Sequence, residues 1–425
     1  MTITIHRGID QIGGCITEIA SANGTKILID LGHNLPSGDE PTVDKYEDDA
    51  TIDDLLKGVN AIFYTHPHGD HVGFETQVSK RGIPQYIGSV SKELMLLLKE
   101  HLAFTGNPKH KAELDAFKEF HTFVAKDKIP IKDITVTPYF VSHSAPDAYM
   151  FVIECDGKKV LHTGDFRDHG YRGKGLLPTI SKYIVRRKID VLITEGTMLS
   201  RDDSRLMTEN ELKHNAIELF RNHRNLFVMC SSMDADRLAS FYQAALATGK
   251  MFVVDGYQWK VLETVENTLG THSSLYRFPA RRYFAKHLEE IQNAAQNKGV
   301  VMMVRNNQKC REFIDTIYPT LRPEETCFLY SQFLGYIMKE HSAFQQSTYD
   351  FVHSRDWHFE YLHTSGHASR EALAMVCNKV NPRLAIIPIH REAESDFRSL
   401  DITQELKDKV HTESTTIEGV KIIIK

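Results

Sequence analysis

The six cysteines are scattered through 425 residues, and no two form a Cys-x-x-Cys pair. Several lie in apolar, strand-like runs, which argues for buried free thiols in a reducing compartment and against a disulfide framework. Basic charge is not in excess either. The formal net charge of -5 excludes a general polyanion coater. A local basic groove stays open, with Arg186-Arg187-Lys188 and Arg281-Arg282 as contributors, although isolated basic runs are usually solvated faces. No apolar run approaches the length of a membrane span, and Met1-Thr2-Ile3-Thr4-Ile5-His6 lacks a basic region followed by an apolar core. A cytoplasmic chain with no membrane association is expected. There is no internal repeat and no low-complexity linker, yet the length exceeds one ordinary domain. Two globular units, or one domain with a large insertion, follow.

What the chain does have is Thr65-His66-Pro67-His68-Gly69-Asp70-His71, with three histidines and one carboxylate inside six residues. The apolar run Ala61-Ile62-Phe63-Tyr64 before it reads as a buried strand, and Val72 to Lys80 after it reads as a helix. A strand-to-helix loop can aim side chains at one point. His66 and His68 alternate, so an extended segment projects both to one side. Asp70 and His71 are expected near the first helical turn, where the macrodipole favours a neutral, metal-binding imidazole. Imidazole with carboxylate suits zinc better than calcium or magnesium. A polar loop of surface histidines is the plainer reading, but it does not account for four candidate ligands at this density.

Elsewhere the first part reads as short strands (Thr2 to Ile5, Cys15 to Ala20, Lys26 to Asp30), followed by an acidic, turn-rich stretch from Asp39 to Asp54 read as a solvated loop. Ile134 to Phe140 reads as a strand, and Tyr149 to Cys155 with Lys159 to His162 as a hairpin about Asp156-Gly157. His143 follows the first of these and Asp165 follows the hairpin. Past Glu195, helices alternate with strands at Leu226 to Met229, Met251 to Val254, Val300 to Val304 and Cys327 to Tyr330, which predicts a parallel α/β sheet. Phe359 to Leu362, helix Ser369 to Val380, Leu384 to Ile387 and Val420 to Ile424 complete the chain.

The first motif matches His-x-His-x-Asp-His and resembles the metallo-β-lactamase superfamily, which places a third histidine and a bridging aspartate in the loops of His143 and Asp165. Glu195 at a strand end, His367 in His363-Thr364-Ser365-Gly366-His367-Ala368-Ser369, and His390 in Ile387-Pro388-Ile389-His390-Arg391 resemble the three added motifs of its β-CASP branch. The resemblance implies an αββα metallo-β-lactamase sandwich formed by residues 1–197 and 355–425, with an α/β β-CASP domain inserted at 198–354. In this branch the last motif is histidine in members acting on RNA, which His390 fits, and valine in DNA-repair members. Ser142 to Ala148 and His363 to Ala368 look most like bacterial ribonuclease J, without that family's C-terminal domain. The segment from Cys230 to Arg237 departs from that family's pattern, because Asp234 and Asp236 would repel a 5′-phosphate if they faced one.

By resemblance, His66, His68 and His143 hold one zinc, Asp70, His71 and His390 hold a second, and Asp165 bridges them, with manganese as a substitute. Two metals ~3.5–4 Å apart lower the pKa of a bridging water and clamp the transition state of phosphodiester hydrolysis. His367 becomes the proton donor to the leaving 3′-oxygen and Glu195 its orienting partner, with a structural ion pair as the plainer alternative. Asp70 is counted with the catalytic residues as well as the ligands. Ser232, Arg237, Ser365 and Ser369 are candidates for phosphate contacts. The expected activity is endo- or 5′-exonucleolytic hydrolysis of single-stranded RNA in preference to DNA, leaving 5′-phosphate and 3′-hydroxyl ends, and a homo-oligomer is allowed. A small-molecule or thioester hydrolase needs only the seven ligands. An iron-dependent oxidoreductase tends to carry glutamate in place of the second histidine, and a non-catalytic nucleic-acid-binding subunit usually loses ligands.

Overall fold

The computed structural model describes residues 1–36, 44–104, 106–201, 205–282 and 285–425. The chain divides into two compact units. The first takes Met1–Leu35, the chain onward to Arg205, and Gly366–Lys425, and the second is chiefly Leu206–Ser365.

The first unit is a sandwich of two mixed sheets. One has eight strands, in the order Thr415–Ile417, Val420–Ile424, Thr2–Arg7, Ile16–Ala20, Lys26–Ile29, Val59–Phe63, Gln85–Gly88 and His121–Phe123. The other has six, in the order Ala385–Ile389, Val191–Glu195, Lys158–His162, Ala148–Cys155, Ile134–Val141 and Ile129–Ile131. Alternation along the strands sends Ile27, Ile29 and Phe63 from one sheet against Phe151, Ile153, Val160 and Ile193 from the other. The opposite face of the six-stranded sheet offers Val152, Leu161, Leu192 and Ile386, which bury Leu373, Val376, Cys377 and Val380 of helix Arg370–Val380. Helix Ser89–Ala103 packs on the far strands of the eight-stranded sheet. The closing strand Val420–Ile424 pairs in parallel with Thr2–Arg7, so the last segment completes the first unit's sheet.

The second unit is a six-stranded, wholly parallel sheet, ordered Arg281–Arg282, Met251–Val254, Val300–Met303, Asn225–Cys230, Thr326–Ser331 and His358–Tyr361. Strands such as Val300–Met303 are buried throughout, as a parallel sheet covered on both faces requires. This is the expected inserted α/β domain, but its far limit lies later than residue 355. His358–Tyr361 pairs with Thr326–Ser331, so that strand belongs to the inserted sheet, and the return falls at Gly366.

Two further expectations meet a different structure. The acidic stretch is not simply a solvated loop. Residues 39–43 lie outside the described residues, but Asp44 is buried and accepts both a 2.8 Å and a 2.9 Å bond from Arg7, while Asp48 caps helix Asp49–Leu56. The helix after the histidine motif covers only Glu75–Lys80, because Val72 bridges to Leu31 and Phe74 turns into the left-handed region at φ +55°. Asp70 and His71 therefore lie before the helix, out of reach of its dipole, which fades within one turn. All six cysteines are free and buried, and no helix of the described residues is long and apolar enough to cross a membrane.

Candidate metal centre

The histidine motif is held as a loop by backbone pairing rather than by a helix. His33 N donates to Gly69 O, Leu31 N to His71 O, and Gly73 N to Leu31 O. The two loops touch so closely that a Cβ on Gly32 would lie 1.8 Å from the carbonyl oxygen of Asp70, which only glycine permits.

Within this frame, His66, His68 and His143 converge. Nδ1 of His68 lies 3.1 Å from Nε2 of His66 and 3.2 Å from Nε2 of His143. That is close to the ~3.3 Å spacing of nitrogens around a tetrahedral zinc with Zn–N ≈ 2.0–2.1 Å. The partners of the remote nitrogens fix the protons. Nδ1 of His143 donates to Gly366 O at 2.7 Å, since a carbonyl can only accept. Nδ1 of His66 meets Thr65 Oγ1 at 3.0 Å, and that hydroxyl donates onward to Asp30 at 2.9 Å. The Nε2 atoms of His66 and His143 are therefore both lone pairs turned toward Nδ1 of His68, with Ser144 Oγ 3.3 Å from that of His143, and a cation among the three rings would be met by two acceptors already in place.

The second group lies alongside. His390 Nε2 is 3.2 Å and His71 Nε2 3.7 Å from Asp70 Oδ2. Asp165 Oδ2 stands between the groups, 3.2 Å from His71, 3.6 Å from His390 and 4.0 Å from His66. His71 Nε2 and Asp165 Oδ2 are buried and make no hydrogen bond of acceptable geometry despite their 3.2 Å approach. Two orphaned buried atoms aimed at a common centre are what a metal-binding array without a proton between its ligands presents.

The electrostatics agree. Burial, followed by the neighbouring imidazoles, pushes His66 well below the usual histidine range, and His68 and His143 are also lowered. Burial also opposes a charge on His71, but Asp165, Asp70 and Asp30 outweigh it and raise its pKa well above the usual value. Burial likewise opposes ionisation of Asp70 and Asp165, yet the imidazoles of His71 and His390 hold both carboxyls well below the carboxylate range. Three carboxylates around one ring demand positive charge. A divalent cation would supply it with all imidazoles neutral.

Several partners carry no signal in the local sequence. Asp30 accepts Thr65 N at 2.7 Å and His71 Nδ1 at 2.8 Å, from the end of strand Lys26–Ile29 with φ +59°. Thr197 Oγ1 meets His390 Nδ1 at 2.7 Å, and His390 itself sits at φ +53° at the end of its strand. Such backbone costs on the order of 1–3 kcal/mol and persists where surrounding contacts impose it. Cys15 Sγ also lies within 4.8 Å of donor atoms of His71 and His390, and burial pushes its thiol well up.

Beside the array, His367 Nδ1 donates to Glu195 Oε2 at 3.0 Å, and Glu195 Oε1 accepts Phe166 N at 2.7 Å. His367 is 3.5 Å from Asp165 Oδ2, and its side chain is 21% exposed against 1% for Glu195. Burial pulls the His367 pKa down, but Glu195 and Asp165 outweigh it and raise it. The four phosphate-contact candidates are placed differently. Ser369 caps helix Arg370–Val380 by accepting Ala372 N, with Asp168 3.5 Å away, and Ser365 is buried. Ser232 Oγ takes a 3.4 Å bond from Gln258. Arg237 is buried, and its guanidinium donates to Glu209, Ser331 Oγ, His363 Nδ1 and Thr364 O, which uses all five of its N–H groups inside the second unit. Asp234 caps the helix that carries Arg237, and Asp236 accepts the Tyr276 hydroxyl at 2.6 Å. The basic run Arg186-Arg187-Lys188 is partly neutralised by Glu154, and Arg281 by Glu290.

The sandwich carries a candidate metal centre of converging histidines and aspartates, and comparison with known proteins points to a metallohydrolase. Residues 25–227 match the Beta-lactamase superfamily domain, and residues 358–412 match the Zn-dependent metallo-hydrolase RNA specificity domain. The chain thus carries a metallo-β-lactamase domain and an RNA-specificity domain, the pairing found in the ribonuclease J group it resembles. It is similar to Ribonuclease J of Mycolicibacterium smegmatis, 27% identical over 257 residues that cover 59% of this chain and 43% of that protein. It is also similar to Ribonuclease J 1 of Streptococcus pyogenes serotype M3, 21% identical over 387 residues, covering 86% of this chain and 64% of that one. The chain thus spans less than half the length of the mycobacterial relative and under two thirds of the streptococcal one. A solved structure of a protein of unknown function from Enterococcus faecalis V583 superposes with a TM-score of 0.67 at 19% identity, covering 92% of this chain and 94% of that one, a likeness of fold.

Proposed function

We propose that the chain is a zinc-dependent ribonuclease that hydrolyses phosphodiesters of single-stranded RNA. The observation that carries this reading is the buried array of His66, His68, His143, Asp70, His71, His390 and Asp165, with the His367–Glu195 pair at its more exposed edge. His66, His68 and His143 would hold one divalent ion, Asp70, His71 and His390 a second, with Asp165 between. Zinc is the expected ion and manganese a substitute. Such ions, when bound, supply a nucleophilic hydroxide at neutral pH and charge neutralisation on the phosphoryl oxygens.

The chain's own residues do the rest. Asp30, Thr65, Thr197 and the Gly366 carbonyl hold the ligand rings by their remote nitrogens and fix which nitrogen faces inward. Glu195 takes the Nδ1 proton of His367 as a hydrogen bond and favours the imidazolium, leaving Nε2–H as the proton source. As hydroxide bonds to phosphorus, the P–O3′ bond breaks, its electron pair goes to the 3′-oxygen, and that oxygen takes the proton from His367. The products carry a 5′-phosphate and a 3′-hydroxyl. RNA is favoured over DNA by the histidine at position 390 and by the RNA-specificity match at residues 358–412. Ser365 and Ser369, flanking His367, are retained as phosphate contacts. Ser232 is retained too, since its hydroxyl accepts a single 3.4 Å bond and can still donate, whereas Arg237 is not, because its N–H groups are employed within the second unit.

End-group analysis of the cleaved RNA tests the reading. Fragments that accept ligation at a 5′-phosphate support it, and fragments ending in a 2′,3′-cyclic phosphate refute it, because that chemistry uses the substrate's own hydroxyl.

A further inference from the structure

The second unit carries a separate cluster of metal-ligating side chains that the hydrolytic centre does not use. His223 follows helix Glu209–Asn222, in the turn that leads into strand Asn225–Cys230. His358 and Glu360 lie two apart on His358–Tyr361, so both project from one side of that strand. His358 Nε2 is 2.8 Å from Glu360 Oε1. The rings of His223 and His358 stack with centroids 5.0 Å apart and planes 18° from parallel. One donor atom from each of the three residues lies within 4.8 Å of the other two.

An ordinary surface ion pair explains His358 with Glu360 but not the third member. Nδ1 of His223 is buried and has no hydrogen-bond partner, although the ring stands beside a carboxylate and a second imidazole. Burial, followed by the neighbouring His358, lowers the His223 pKa, which favours the neutral ring that a metal takes. Two imidazoles and one carboxylate form a borderline nitrogen–oxygen set suited to zinc and poorly suited to magnesium or calcium. Cys327, paired with His358 across the strands, is not a ligand, because it is fully buried and burial pushes its thiol up to about 12. The nearby cations are engaged elsewhere. Lys250 donates to Arg224 O at 2.9 Å, and Arg224 pairs with Glu325 at 2.7 Å.

We propose that His223, His358 and Glu360 bind one zinc ion, with water completing its shell, and that this ion clamps an edge strand to the end of a helix. Among the described residues, His358–Tyr361 is hydrogen-bonded to a neighbouring strand on one side only, so its other edge needs such a hold. The strand also leads, within seven residues, to His367.

Zinc titration of the full chain against a chromophoric chelator tests the proposal, with wild type, His223→Asn and His358→Gln compared after gel filtration. His358 is exposed, so its substitution should leave the fold intact. Wild type should hold one equivalent more than either variant at micromolar zinc, and Asp165→Asn should keep that equivalent while losing zinc from the other centre. Amide exchange of residues 358–361 should accelerate at least tenfold in His358→Gln at the same zinc concentration. Equal stoichiometry in wild type and both variants overturns the proposal, as does a third equivalent that binds only at millimolar zinc. Because the readout is a difference in zinc content, it stands or falls independently of RNA cleavage.

Discussion

Replacing His367 with glutamine separates its role as proton donor from that of a structural ion pair with Glu195, and tests for metal ligation as well. The ring contacts Glu195 at 3.0 Å and Asp165 at 3.5 Å and groups with His143 and Asp165 as a candidate ligand set. Glutamine keeps an N–H that can donate to Glu195, so the buried carboxylate, which also accepts Phe166 N, is not stranded. It cannot carry a proton to a leaving oxygen. Losing a general acid costs typically ~10²–10⁴ in rate, or roughly 3–5 kcal/mol of transition-state stabilisation at 1.36 kcal/mol per decade. The ring is partly exposed and its neighbours at 5.1 and 5.2 Å are other histidine rings, so little packing is lost. The expected result is a kcat lower by two to four decades with unchanged zinc content and unchanged Tm, measured by steady-state RNA cleavage, metal analysis and calorimetry. Wild-type turnover would refute the proton-donor role, and loss of zinc would make His367 a ligand. Glu195→Gln adds a pH test. The carboxylate raises the His367 pKa, so removing it lowers that pKa, and the alkaline limb of the pH–rate profile moves to lower pH. An unmoved limb would mean that Glu195 does not govern the titrating group.

Three further outcomes follow from the same geometry. Asp165→Asn should weaken zinc binding at both ligand groups, because one oxygen serves His66, His71 and His390, and full zinc occupancy in that variant would remove it from the bridge. Asp30→Asn should weaken metal affinity ~10–100-fold without touching a ligand, because Asp30 sets the Nδ1 proton of His71 and, through Thr65, that of His66; an unchanged affinity by chelator competition would refute that role. His162 is fully buried, and burial pulls its pKa down to about 4. The folded chain therefore binds fewer protons than the unfolded chain between about pH 6.5 and 4. Stability is complete above that window and falls by roughly 3 kcal/mol on acidification through it. Urea midpoints at pH 7 and pH 5 should show roughly 2 kcal/mol of that loss in wild type and a smaller one in His162→Gln, and equal losses would contradict the assignment.

The candidate centre was largely legible because four of its proposed ligands fall within six residues and the others follow predicted strands. His143 follows Ile134–Val141, and His390 follows Ala385–Ile389. The residues that orient the rings were not legible, because they are contributed by distant parts of the chain. Asp30 is 41 positions from His71 and Thr197 is 193 from His390, so only pairing of strands brings them together. The early helix start after the motif was an over-reading of Val72 and Phe74, whose apolar character serves a bridge to Leu31 and a left-handed turn. The strand at His358–Tyr361 was readable as a strand, but its membership of the inserted sheet is a matter of pairing that residue alternation does not encode. Arg237 looked like a phosphate ligand because an arginine near a helix start often is one, while its partner Glu209 lies 28 positions away.

The most direct test of the account is cleavage of one single-stranded RNA and its DNA counterpart, each with a 5′-monophosphate and a 5′-hydroxyl, before and after metal removal. The account predicts that RNA is cut, that chelation abolishes cutting and that zinc or manganese restores it, with DNA cut far more slowly. Sensitivity to the 5′ group then distinguishes exonucleolytic from internal cleavage. A chain that binds zinc at the central array yet leaves both nucleic acids intact would contradict the account and favour a small-molecule hydrolase on the same fold.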